Sequence, residues 1–236
     1  MTRHFSMGRR VFLGDVSIAG RLRLDAIACY LQDVATNDAE DAKFEHDRGW
    51  VLRRMDMDIV RLPTVYEDVS LTTWCSGIGS RWAERSTTLT DTREVFGGVW
   101  AQVQAVWVHI SFDTGASQPV PPEFYAVYGE GVLDKKVSAR LRHPAPPEGA
   151  PRKPWPLRLT DFDVFGHVNN AVYWSPVEDE IVPWLGTWPI GRCEIEFRAG
   201  IDPGDEPELI IERADALTVW FMVGDDVRAS VRVHPR

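Results

Sequence analysis

The residues best suited to acid–base chemistry lie together in TDFDVFGHVNNAVYW, residues 160–174. Asp163 and His167 are side chain types that exchange protons, and a carboxylate can also attack a carbonyl group. Asn169 and Asn170 can hydrogen-bond a water molecule or a polar substrate. Because residues with helical spacing follow this stretch, a polar helix cap is the alternative interpretation.

A helix that begins at these asparagines would supply the second half of such chemistry. Unpaired N–H groups and the positive end of the helix dipole stabilise negative charge. We therefore expect the backbone from Gly166 through Val168 to Asn170 to hold the oxyanion that forms when a carbonyl is attacked. Gly166 has no side chain, so a substrate can approach closely. This chemistry requires no cofactor and no metal.

An internal repeat helps to separate a catalytic loop from a cap. When Gly20 is aligned on Gly166, GDVSIAGRLRLDAI matches TDFDVFGHVNNAVY, 146 residues further along the chain. RMDMDIVRLPTVYED and RCEIEFRAGIDPGDE then match, 138 residues apart. The repeat therefore predicts two units with the same order of elements.

The two copies carry different side chains at three positions of this loop. The pairs are Ser17 and Asp163, Arg21 and His167, and Arg23 and Asn169. A helix cap should need similar residues in both copies. The polar set of the second copy is therefore predicted to have another task.

Each copy contains one helical pattern followed by alternating strands. Ile27, Leu31 and Val34 have helical spacing in the first copy, as Trp174, Val177 and Ile181 do in the second. Alternation predicts strands at residues 51–61, 68–77, 82–92 and 98–112, and again at 190–199, 207–213, 216–223 and 227–234. A helix followed by antiparallel strands, twice, predicts an α+β protein in which each sheet wraps its own helix.

A proline-rich segment separates the two copies. Nine of the 16 prolines lie between Pro119 and Pro156, where fixed φ angles and missing N–H donors oppose regular structure. We therefore predict an N-terminal unit at residues 1–118, a linker at 119–156 and a C-terminal unit with the catalytic loop at 157–236. The linker is locally basic, which could receive an acidic carrier protein or the phosphates of coenzyme A, although a solvated linker is the alternative.

Composition limits the classes of partner. The net charge of −9 argues against nucleic-acid binding, because phosphate contacts need a concentrated positive face. No apolar run approaches the roughly 20 residues that span a bilayer.

The three cysteines lie far apart, which argues against disulfides and a zinc site and favours the cytoplasm. Cys193 lies in an alternating strand and is expected to be a buried apolar residue.

Three stretches in order resemble the acyl-acyl-carrier-protein thioesterases, which are tandem hot-dog proteins. They are GRLRLDAIACYLQDVA, WVLRRMDMDIVRLPTVYEDVSLTTW and DFDVFGHVNNAVYW. The resemblance implies a double hot-dog fold and hydrolysis of a fatty acyl thioester, with acyl carrier protein or coenzyme A as the thiol. A tandem protein already contains the hot-dog pairing, so either a monomer or a homodimer is expected.

The resemblance also bears on the site residues. The family loop reads Asp-x-Asn-x-His-Val-Asn-Asn, so its aspartate falls on Asp163 and its histidine on His167, while its first asparagine falls on Phe165. Related single hot-dog thioesterases use an aspartate that also falls on Asp163. The family's further glutamate falls near Gly200, and Asp202 is the closest carboxylate in sequence.

These observations lead to one main hypothesis and two alternatives. Asp163 is the expected general base or nucleophile, with His167 and Asn169 assisting. Trp82 and Trp100 are expected to line the acyl site, although core packing is the commoner fate of such residues. A hot-dog enoyl thioester hydratase and a non-catalytic acyl-thioester-binding protein remain the alternatives.

Overall fold

The computed structural model describes residues 2–44, 49–92, 98–132, 135–185 and 190–236. The chain divides into two compact units, Met1–Arg140 and Leu141–Arg236, with the boundary after Arg140. This boundary lies inside the segment that the sequence predicts as a linker. Each unit contains a helix and an antiparallel sheet, as the repeat predicts.

The first unit contains a five-stranded antiparallel sheet in the order β1-β3-β4-β5-β2. Its elements are β1 (His4–Arg10), α1 (Leu24–Asp41), β2 (Trp50–Ile59), β3 (Asp68–Ile78), β4 (Trp82–Asp91), β5 (Val99–His109) and α2 (Pro122–Tyr128). Helix α1 packs on β3 and β1. Its buried positions include Leu24, Ile27 and Val34, whose spacing gives the helix one apolar face.

The second unit repeats this plan with the order β7-β10-β9-β8-β6. Its elements are β6 (Arg152–Pro154), α3 (Trp174–Leu185), β7 (Ile190–Phe197), β8 (Glu208–Arg213), β9 (Leu217–Val223) and β10 (Asp226–Pro235). Every side chain of β9 from Leu217 to Met222 is buried, and all but Thr218 are apolar, so this strand lies in the core of the unit.

The helix of the second unit begins later than the sequence predicts. Helix α3 starts at Trp174, not at Asn169 or Asn170. Pro176 favours the later start, because proline has no N–H and is best accommodated in the first turn of a helix, where that N–H would have no partner in the helix. A helix that began at Asn170 would place Pro176 in its second turn. Residues 170–173 instead form a turn, in which the Val172 N–H donates to Asn169 O (2.9 Å).

The proline-rich segment also differs from its prediction, because it contains α2 and β6. Pro122 is the first residue of α2, a position where its fixed φ suits the helix. The segment also packs on the sheets within each unit. The Trp82 indole donates to Val137 O (3.0 Å), and the Trp220 indole donates to Pro144 O (2.9 Å). It is therefore part of both units.

The core of the first unit contains a buried carboxylate that is paired with two arginines. Asp38 of α1 is 1% exposed and pairs with Arg85 (2.7 Å) and Arg3 (2.9 Å). Thr73 and Thr87 lie beside this pair and hydrogen-bond each other (3.0 Å). Burying such groups is unfavourable unless they are all paired.

The cysteines are free thiols, and two of the three are buried. Burial raises the pKa of the Cys75 thiol to about 11. Partial burial, with the charges of Asp25 and Asp33, also raises the pKa of Cys29. Cys193 is fully buried in β7, as its place in an alternating strand predicts.

Candidate active site

The predicted catalytic loop is a tight turn closed by backbone hydrogen bonds. The Asp163 N–H donates to His167 O (2.9 Å), and the Gly166 N–H donates to Asp163 O (3.0 Å). Gly166 has a φ of +80°, which favours glycine because it has no Cβ. Phe162 and Val168 pair across the base of the turn. Asp163 and His167 therefore lie at the two ends of one short turn.

Two aspartates hold this loop, and each does so differently. Asp161 is 4% exposed, and its carboxylate accepts the Arg158 N–H (2.7 Å) and the Arg158 guanidinium (2.8 Å), a structural role. Asp163 Oδ1 accepts the Phe165 N–H (2.9 Å). Its other oxygen, Oδ2, has no hydrogen bond within the described residues. One oxygen of Asp163 therefore fixes the turn, and the other is available for chemistry.

His167 pairs with a carboxylate from a different loop. Its Nδ1 lies 2.6 Å from Asp202 Oδ1, and both side chains are more than half exposed. A carboxylate can only accept, so the neutral imidazole carries its proton on Nδ1 and leaves Nε2 as the acceptor. The histidine is therefore oriented with a basic nitrogen directed away from Asp202.

The second loop, residues 198–205, follows β7 and is itself fixed to the fold. Ile201 is fully buried, and its carbonyl accepts the Val168 N–H (3.0 Å). The Asp202 N–H donates to Asp205 Oδ2 (2.9 Å). The amides of residues 198 and 199 both donate to Arg228 O. Asp202 is thus held in a turn that is anchored on both sides.

The asparagines have different environments. Asn169 Oδ1 accepts the Ala171 N–H (2.9 Å), and the Asn169 N–H donates to Asp161 O (2.9 Å), so Asn169 helps to build the turn before α3. The Asn170 side chain makes no hydrogen bond with any described residue. Asn170 is therefore the amide of this pair that is available to a substrate.

Two of the three backbone N–H groups expected to bind the oxyanion already donate to backbone carbonyls. The Gly166 and Val168 amides donate to the carbonyls of Asp163 and Ile201, so the structure does not leave these two N–H groups for a substrate. Within the described residues, the amides of His167 and Asn170 donate to no acceptor. The late start of α3 is the physical reason, because the loop closes on itself before the helix begins.

One buried phenol lies within electrostatic range of both loops. Burial raises the pKa of Tyr173, and although Arg228 lowers it, the charges of Asp202 and Asp163 raise it further. Tyr173 is 1% exposed and packs against the Phe197 ring, 5.2 Å between centroids. The two carboxylates therefore lie around one rigid aromatic side chain.

The two tryptophans named from the sequence pack within the first unit. Trp82 lies against Gly79 in addition to its bond to Val137. Trp100 is 7% exposed, and the Arg61 guanidinium lies 4.2 Å from the centre of its ring. These are packing contacts, and a role for either residue in acyl binding stays a prediction.

Other features bear on cofactors and on the membrane. Among the side chains that the structure describes, no group of three or more His, Cys, Asp and Glu residues is placed to hold a metal ion. The described helices include none with the length and apolar character needed to cross a bilayer.

Solved structures identify the fold. A putative oleoyl thioesterase from Lactobacillus plantarum superposes with a TM-score of 0.86 at 22% identity, covering 100% of this chain and 96% of that chain. The 12:0-ACP thioesterase from Umbellularia californica gives a TM-score of 0.82 at 18% identity, covering 99% and 97%. These similarities confirm the predicted double hot-dog α+β fold.

The family follows from the sequence. The family model of the acyl-ACP thioesterase N-terminal domain matches residues 3–128, and that of the C-terminal domain matches residues 145–227. The chain belongs to the acyl-ACP thioesterase family, and it is a hydrolase of fatty acyl thioesters, as the sequence predicts.

Individual relatives share a little more than a quarter of their aligned residues with this chain. An uncharacterized protein of Mycobacterium tuberculosis is 28% identical over 230 residues, which cover 96% of this chain and 90% of that protein. An oleoyl-acyl carrier protein thioesterase of Arabidopsis thaliana is 28% identical over 186 residues, covering 67% of this chain and 49% of the plant protein.

The sequence alone did not identify the partner of His167. Asp202 was noted only as the carboxylate nearest in sequence to Gly200, and the two residues of the pair are 35 positions apart. The repeat could have pointed to this loop. When Arg192 is aligned on Arg54, residues 198–205 align with residues 60–67 of the first unit.

Proposed function

We propose that this chain hydrolyses fatty acyl thioesters at the loop formed by residues 161–170. Asp163 acts as general base or nucleophile, and His167, oriented by Asp202, assists. The observation that carries the proposal is that one turn presents an unbonded carboxylate oxygen and an imidazole whose Nδ1 lies 2.6 Å from a second carboxylate. Acid–base catalysis needs both features.

The reaction requires water to add to the carbonyl carbon and the C–S bond to break. Asp163 Oδ2 takes a proton from the attacking water, or forms a transient anhydride that water then hydrolyses. His167 Nε2 can accept a hydrogen bond from the same water. The amides of His167 and Asn170 are the donors proposed for the developing oxyanion. The thiolate leaves without needing an acid.

The proposed thiol is acyl carrier protein, as the family's name and the plant relative suggest. Of the seven basic residues between residues 132 and 158, Arg152, Lys153 and Arg158 pair with acidic side chains. Lys135, Lys136 and Arg140 have exposed side chains with no ion pair to any described residue. These three cations are the candidate contacts for an acidic carrier.

A thiol-release assay on a panel of acyl-ACP and acyl-CoA substrates tests the assignment. We expect the wild type to release thiol, and Asp163→Asn to lower turnover by about 10²–10⁴-fold. Asparagine keeps the bond from the Phe165 N–H, so the fold should remain intact. Ser17→Asn, at the equivalent position of the first unit, is the matched control and should keep full activity.

Three outcomes would count against the proposal. Undiminished turnover of Asp163→Asn would exclude this residue as base or nucleophile. Hydration of a trans-enoyl thioester without thiol release would indicate the lyase alternative. Tight binding of an acyl thioester without any turnover would indicate a non-catalytic binding protein.

A further inference from the structure

The imidazole of His167 lies directly against the backbone of residue 200. A Cβ atom at Gly200 would stand 2.8 Å from His167 Nδ1 and 3.0 Å from its Cγ. Real Cβ atoms essentially never approach another atom this closely. Any side chain at position 200 would therefore displace the ring from where it lies.

The His167 atom that an added Cβ would crowd is also the atom that lies against Asp202. His167 Nδ1 would be closest to the added Cβ, and it is the same nitrogen that lies 2.6 Å from Asp202 Oδ1. A ring that moves away from residue 200 must therefore lengthen or misalign the bond to Asp202. Hydrogen bonds weaken steeply with such changes in geometry.

The backbone at Gly200 is not free to move in the ring's place. The buried Ile201 follows it, and the bond from the Val168 N–H to Ile201 O ties this loop to the catalytic loop. On the other side, the amides of residues 198 and 199 donate to Arg228 O. The imidazole, which ends an exposed side chain, is the part that would shift.

The structure describes a different arrangement at the equivalent position of the first unit. The Leu22 N–H donates to Pro63 O there, as the Val168 N–H donates to Ile201 O, so Leu62 corresponds to Gly200. Arg21, the counterpart of His167, directs its guanidinium to Leu22 O (3.2 Å). The fold itself therefore does not require a glycine at this point.

We propose that Gly200 is a positioning residue for hydrolysis. Because it has no side chain, the imidazole can lie flat against the loop and reach Asp202, which fixes the proton on Nδ1 and leaves Nε2 for the reaction. This inference rests on the proposed function of the loop. It assigns to residues 200 and 202 together the task of orienting His167.

The test compares Gly200→Ala with Gly14→Ala, an alanine substitution where a Cβ meets no atom within 4 Å. Neither glycine has a positive φ, so the backbone accepts alanine at both positions. We expect Gly200→Ala to lower kcat at least ~10-fold with KM within about threefold, and to leave Tm unchanged. Gly14→Ala should change neither kcat nor Tm.

A second measurement distinguishes positioning from a structural role. The ¹⁵N shifts of the His167 imidazole should show a protonated Nδ1 in the wild type and lose this signature in Gly200→Ala. In an Asp202→Asn background, Gly200→Ala should cost less than about threefold in kcat, because both changes act through one ring. Equal losses in the two backgrounds would overturn the inference.

The results also separate this inference from the proposed function. A wild type that releases no thiol from any acyl substrate would refute the function, and the imidazole shifts would still decide whether Gly200 positions the ring. An active wild type with full turnover and an unchanged imidazole spectrum in Gly200→Ala would refute the inference alone.

Discussion

The loops at residues 12–24 and 158–170 have the same backbone and different chemistry. In both, an N–H is accepted by the aspartate three residues ahead, Phe12 to Asp15 (3.0 Å) and Arg158 to Asp161 (2.7 Å). Both turns close at a glycine of positive φ, +75° at Gly20 and +80° at Gly166. The strand-like pair Val16–Leu22 repeats as Phe162–Val168.

The difference between the loops lies in the side chains that the shared turn presents. Arg23 in the first loop binds Asp25 (2.8 Å) and Val16 O (2.9 Å), so its charge is used within the loop. In the second loop, His167 reaches a separate loop and Asp163 keeps one oxygen unbonded. The comparison teaches that the same backbone bonds preserve both turns while the side chains differ, and in the proposed function these side chains decide whether the loop catalyses.

The largest expected effect comes from giving the second loop the first loop's residues. Asp163→Ser with His167→Arg should lower thioester hydrolysis by about 10³-fold or more, because acid–base groups contribute 10²–10⁴-fold. Circular dichroism should show an intact fold, since the backbone bonds are common to both loops. The reciprocal change, Ser17→Asp with Arg21→His, is the control and should keep activity within about twofold. Loss of activity in both variants would contradict the division of roles.

The next effect concerns the charged core of the first unit. Asp38→Ala should lower the free energy of unfolding by about 3 kcal/mol, because it leaves the partly buried Arg85 without its acidic partner. Removing both partners, as Asp38→Leu with Arg85→Leu, should cost clearly less. Denaturant titration measures both. If the single and double variants were equally unstable, the ion pair would not be the source of the effect.

A smaller loss of stability, equal in the two units, is expected when either turn glycine is replaced. Gly20→Ala and Gly166→Ala should each lower the free energy of unfolding by about 1–2 kcal/mol, because alanine is strained at positive φ. Only Gly166→Ala should also lower turnover, since its turn carries Asp163 and His167. Thermal unfolding and the thiol-release assay give the two readouts. Unequal destabilisation would show that the turns are less alike than their bonds indicate.

The smallest expected effect is a change in how folding stability depends on pH. Burial would raise the pKa of Glu194, but the hydrogen bond and charge of Arg192, with His234, outweigh burial and lower it. A lowered folded-state pKa adds stability above the unfolded value of about 4.3, and this stability is lost as the pH falls through the folded value. Glu194→Gln should therefore flatten the loss of stability between about pH 5 and 3, measured by urea midpoints. A parallel loss in wild type and variant would exclude Glu194 as a contributor.

Much of the fold could be predicted from alternation and the repeat. All eight strands expected in the two units are present, with ends that differ by a few residues. β1 was missed because HFSMGRR is half exposed and has few apolar residues to mark an alternation. The sequence does not predict β6 and α2, because proline generally opposes regular structure, although here Pro122 starts a helix and Pro154 ends a strand.

The candidate site was predictable only in part. Asp163 and His167 stood out because the repeat offered a matched loop without them. The start of α3 was misplaced because Asn169 and Asn170 have the residue type of a helix start, whereas a turn at residues 170–173 precedes the helix. The relation of Asp202 and Gly200 to His167 depends on contacts between distant loops, which no local pattern encodes.

The buried and weakly acidic thiols have a consequence for an enzyme that handles activated acyl groups. A thiolate is the form of cysteine that attacks a thioester, and a high pKa keeps the thiolate fraction small. With Cys75 and Cys193 buried, and with the pKa of Cys29 raised, the protein offers few sulfur nucleophiles to its own substrates. Transfer of the acyl group to a protein sulfur instead of to water is thereby disfavoured, most strongly at the two buried thiols.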